Sequence, residues 1–99
     1  MSGANGARGE AVAVLAGGER RLCLTLGALA EIETALGVSG VAGLTERMGS
    51  LSARDLMAVL AALLRGGGEE ALAGELVRAA IDPVEAAEAV VLAFVAARG

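Results

Sequence analysis

The stretch RRLCLTLGALAEIETALG, Arg20 to Gly37, changes its period part-way along. Residues 20–25 alternate in side-chain character, the signature of a half-buried strand. Leu26, Leu29, Ile32 and Leu36 then recur at spacings of three, three and four, which places them on one side of a helix. Thr25 stands at the N-cap position of that helix, where a hydroxyl can accept from an orphan backbone amide. Gly37 stands just past its end, at the C′ position. A strand is therefore expected to run directly into a helix.

Upstream, EAVAVL from Glu10 to Leu15 also alternates, and AGG separates it from the second alternating run. The pair predicts a β-hairpin over residues 10–25. Setting Val12 opposite Leu22 across a three-residue turn, Ala16 to Gly18, puts Gly18 in the left-handed position and Val12, Val14, Leu22 and Leu24 on one face. Arg21, Cys23 and Thr25 then share the other. A two-stranded ribbon is unstable by itself in water, so its apolar face must lie on helices or join another sheet. Residues 1–9, glycine-rich and without periodicity, are expected to be a disordered leader.

Downstream, Ser39 is expected to cap a brief helix with the stripe Val41, Leu44 and Met48, ending at Gly49. Ser52 with Asp55 three residues on resembles a capping box, with Asp in place of the usual Glu or Gln. The stripe Leu56, Val59, Leu60, Leu63 and Leu64 follows, and the glycine run after Arg65 ends it. Glu69 and Glu70 favour the positive end of a fourth helix carrying Leu72, Leu76, Val77 and Ala80, in which Gly74 costs about 1 kcal/mol relative to alanine. Asp82, Pro83 and Glu85 supply an N-cap, a proline at the first helical position and the acidic third residue of a capping box, so a fifth helix is expected from Pro83 to about Ala97. The fold class that follows is α+β, mostly α: an N-terminal β-hairpin followed by a small bundle of four to five short helices, one domain over residues 10–99 with its helical part at 26–97.

The 56% of apolar residues is mostly alanine, valine and leucine, and Phe94 is the single aromatic among 99 residues. Burying one Leu or Val contributes roughly 1.5–3 kcal/mol and an alanine methyl much less, so stability is expected to be modest or to lean on a partner. With 12 acidic against 8 basic residues the net charge is −4, which disfavours binding to a phosphate backbone. The chain contains no histidine, which excludes histidine-activated nucleophiles and histidine metal sites. Cys23, the single cysteine, can form no intramolecular disulfide, in keeping with a cytoplasmic protein. The N-terminus has no apolar run of the kind an export signal needs. The most hydrophobic stretch, AVVLAFVAA from Ala89 to Ala97, is far short of the roughly 20 residues that span a bilayer. No catalytic, cofactor-binding or metal-binding residue is assigned, and neither nucleic acid nor membrane is expected as a partner.

The carboxylate pairs Glu31/Glu33 and Glu69/Glu70 are too close in sequence to share a helix face and read as solvated surface. RGGGEE, Arg65 to Glu70, lacks the phosphate-loop pattern and reads as a helix connector. In the fifth helix the apolar residues wrap more than half the circumference of the final turns. One small core is not expected to cover them all, which makes Val90, Val91, Phe94 and Val95 the candidate partner-binding residues; simple core packing is the alternative reading for the same four.

RRLCLTLGALAEIETALGVSGVAGLTERM followed by LSARDLMAVLAALLRGGG resembles the small tail proteins of the gene transfer agent family, the tail assembly chaperones of phage-like particles. The resemblance covers about Gly9 to Gly68. It implies a non-enzymatic protein of the producing bacterial cell's cytoplasm that binds tape measure protein, tail tube protein or both during tail assembly. The free edge of the hairpin offers a second contact, to another copy or to a tail tube subunit. A minor tail component retained in the particle and a small DNA-binding or regulatory module are the alternatives.

Overall fold

A computed structural model describes residues 9–98, the side chain of Val41 excepted. The elements are β1 (Glu10–Leu15), β2 (Gly18–Cys23), α1 (Leu26–Leu36), α2 (Gly40–Arg47), a single 3₁₀ turn (Met48–Ser50), α3 (Ala53–Gly66), α4 (Glu70–Ala73) and α5 (Pro83–Ala97). The architecture is α+β and mostly α, a hairpin followed by helices. The expected leader falls on residues 1–8, outside the described residues, apart from Gly9.

The hairpin departs from the expected register by one residue. Ala11 pairs with Leu22 and Val12 with Arg21, and the strands are joined at Leu15 and Gly18 by a two-residue turn. Ala16 and Gly17, both at positive φ (52° and 81°), form that turn, with Gly18 inside β2. Two residues at positive φ give the local twist that right-twisted strands need, which makes this two-residue turn a favoured hairpin connection. Because side chains alternate, a slip of one residue exchanges the faces. Ala11, Ala13, Leu15 and Leu22 therefore face the core, while Val12 and Val14 face outward, 45% and 66% exposed. Arg20 reaches over the turn, its guanidinium donating to the carbonyls of Leu15 and Ala16 at 3.0 and 3.1 Å.

Three of the four expected N-cap side chains make their bonds. Thr25 accepts from the Ala28 amide, Ser52 from Asp55 and Asp82 from Val84. Ser39 occupies the N-cap position of α2 without a side-chain bond there; instead Glu33 of α1 accepts from the Gly40 amide at 2.7 Å. Leu26, expected on the buried stripe of α1, is 83% exposed, and the inward residues are Ala28, Ile32 and Leu36. At about 100° per residue, Leu26 lies roughly 200° around the helix from Ala28 and so faces away from the buried side.

The fourth helix is much shorter than expected. It ends after Ala73, at Gly74, and residues 74–78 continue as turns. Leu72, Ala73 and Leu76 are buried, Val77 is 84% exposed, and Ala80 is also exposed. A helix this short draws its stability from packing rather than propensity, and Gly74 offers no side chain to continue it.

α3 is the hub: it packs against α1, α4, α5 and β2, with Val59, Leu60, Leu63 and Leu64 all buried. Its C-terminal end meets β2 backbone to backbone. A Cβ on Gly66 would collide with the carbonyl oxygen of Cys23, and one on Gly67 with that of Arg21. Glycine is the residue that lets these two backbones touch. The contact helps bury Cys23, which shares with Arg21 the face of β2 opposite Leu22.

Candidate partner-binding surface

α5 lies across the hairpin and α3 with its smallest residues inward. Ala86, Ala89, Val90 and Ala93 are buried in the core, against which the small Ala11 and Ala13 of β1 also pack. Alanine against alanine lets helix and hairpin approach closely, so the bulk of α5 is left for the outside. Val84, Val91, Leu92 and Val95 are 64%, 56%, 49% and 59% exposed.

Of the four residues the sequence singles out, the structure brings Val91 and Val95 together on this outer ridge. Phe94 is half-buried against the core at its border. Val90 turns inward and is 1% exposed. Val84 and Leu92 belong to the surface and were not singled out; their signal was present, since both lie within a helix turn or one heptad of Val91.

The ridge separates two open depressions. One, of about 640 Å³, lies along Pro83, Val84, Ala87, Val91 and Leu92. The other, of about 330 Å³, lies between Val91, Phe94 and Val95 on one side and Leu24 and Met48 on the other. Both expose mainly apolar surface, with Glu88 lining the first and Thr45 and Arg98 the second, which suits contact with apolar side chains.

The acidic pairs have structural partners. Glu31 accepts both Nε and Nη2 of Arg65, at 3.0 and 2.7 Å, tying α1 to α3. Glu33 holds the Gly40 amide, and Glu69 holds the Arg21 amide at 3.0 Å. Three of the four expected surface solvators thus join elements. Among the described residues no polar or charged side chain is buried, and no three residues of His, Cys, Asp or Glu come together. No helix among them is long and apolar enough to cross a membrane.

Comparison with known families places this arrangement. The family of phage tail tube proteins, GTA-gp10, matches residues 8–97. The chain belongs to that family. The match runs through the hairpin, α3 and the whole of α5, so the relationship to phage and gene transfer agent tails includes the apolar ridge that the shorter resemblance, ending near Gly68, did not reach. No curated protein matches the chain, and no solved structure does.

Proposed function

We propose that this member of the phage tail tube protein family is a non-enzymatic tail assembly chaperone or adaptor, acting in the cytoplasm of the producing bacterial cell. It holds tape measure protein, tail tube protein or both while the tail is built. The observation that carries the reading is the outer ridge of α5: four large aliphatic side chains exposed on a single helix of a tail-family chain. Such a ridge fits the apolar stripe of an amphipathic client helix. The net charge of −4 keeps the protein in solution while the ridge is uncovered.

Affinity capture of the tagged full-length protein from particle-producing cells tests this. Co-purification of tape measure protein, lost in a Val91→Asp/Val95→Asp variant, together with absence from finished particles is the expected result. A second reading, a component retained in the tail, is favoured by the family's description as a tail tube protein. A fixed copy number in purified particles would select it.

A further inference from the structure

Glu88, Val91, Val95 and Arg98 fall at spacings of three, four and three along α5 and its C-cap. That is the repeat of a coiled-coil seam. Arg98 keeps helical backbone angles, φ −77° and ψ −8°, so its side chain continues the stripe begun by Glu88. Val91 and Val95 between them are exposed, and so are Glu88 and Arg98. Neither charge joins an ion pair among the described residues, where the pairs are Arg47 with Asp55 and Arg65 with Glu31. The stripe thus runs acidic, apolar, apolar, basic.

A stripe with that order is complementary to itself reversed. We propose that α5 pairs antiparallel with the α5 of a second copy, forming a twofold dimer whose axis passes at the level of Ala93. In this register Val91 of one copy meets Val95 of the other, and Glu88 of one meets Arg98 of the other. Each contact occurs twice, as an isologous interface requires. Leu92 and Phe94 lie on opposite sides of the stripe, so the twofold brings each beside its own counterpart. A parallel pairing would set glutamate against glutamate and arginine against arginine. The charges therefore select the antiparallel arrangement, as flanking charges do in helical pairs generally.

The occupant of the uncovered ridge is, on this argument, another copy of the chain. The inference rests on the charge order of α5 and not on which client the protein holds. It adds to the assembly reading that a client helix must displace the second copy from Val91 and Val95.

Sedimentation equilibrium of the full-length protein, from about 1 µM to about 1 mM, tests the pairing. The seam is short, so a dissociation constant of about micromolar order is expected. Glu88→Arg or Arg98→Glu alone sets like charges against each other and should weaken the dimer by about tenfold or more. Mixing the two variants restores opposite charges at every contact and should give a one-to-one heterodimer. The double variant Glu88→Arg/Arg98→Glu should dimerise like the parent. Circular dichroism of each variant confirms that these exposed changes leave the fold intact. A protein monomeric throughout the range overturns the inference and leaves the ridge to a client. A dimer indifferent to the reversals but dissolved by Val14→Lys also overturns it, placing the contact at the hairpin edge. Either result leaves client capture from cells to be judged separately.

Discussion

The backbone amide of Arg21 donates to Oε2 of Glu69 across 3.0 Å and 48 residues of sequence. Arg21 belongs to the set of β2 residues whose backbone groups point away from β1, because the closing pair Leu15 and Gly18 and every second pair after it face inward along the ladder. The outer edge of β2 is therefore occupied: Glu69 takes the amide, and the glycines at the end of α3 cover the carbonyls of Arg21 and Cys23. The outer edge of β1, at Val12 and Val14, has no strand beside it among the described residues.

Replacing Glu69 by alanine should lower stability by about 1 kcal/mol, the size of one charge-assisted bond at a partly exposed site. Glu70→Ala, a change to an exposed neighbour, should stay within about 0.5 kcal/mol. Urea denaturation of the two variants separates a carboxylate that joins elements from one that only faces solvent.

Gly66→Ala and Gly67→Ala should each cost about 2–3 kcal/mol, toward the upper end of overpacking penalties, because the obstructing atoms are backbone carbonyls of β2 and cannot rotate aside. Gly49→Ala meets nothing within 4 Å and should be near neutral. Thermal unfolding followed by circular dichroism gives the comparison.

Ala16 holds φ at 52° in the hairpin turn, where an L residue with a Cβ is strained. Ala16→Asn produces the Asn-Gly pair that such turns favour and should stabilise the protein by about 0.5–1 kcal/mol. The rise in denaturation midpoint, with an unchanged denaturant slope, is the readout.

Arg47 bonds two elements at once, donating from Nη1 to the carbonyl of Leu36 at 2.8 Å and from Nη2 to Asp55 at 2.5 Å. Arg47→Ala should cost about 1–2 kcal/mol, since it frees the end of α1 and the start of α3 together. Arg47→Lys should recover less than half of that, because a single ammonium cannot reproduce the fork of the guanidinium. Denaturation midpoints of both variants against the parent measure the split.

Of the residues that cover the ridge, Val91 and Val95 were legible in the sequence because the apolar arc of α5 is wider than one small core can bury. Which part of that arc turns inward was not legible. The inward side carries the small residues: Ala86, Ala89 and Ala93 are buried in the same core against which Ala11 and Ala13 of the hairpin pack, and small side chains allow elements to approach closely. A hydrophobicity pattern scores valine above alanine and would bury the valines first. Val90 alone followed that rule.

What the chain determined by itself were features settled within three or four residues. Thr25, Ser52 and the Asp82-Pro83 pair start helices because each cap bond reaches only two or three residues ahead. Gly37 stops one, at φ 69°, for an equally local reason. Tertiary packing decided the rest. EAVAVL is apolar on both faces after Glu10, so either register satisfies the strand pattern, and only the helix lying on the hairpin selects between them. Glu69 looks like any solvated glutamate until the fold brings Arg21 to it, because a bond between residues 48 positions apart leaves no periodic trace in the sequence.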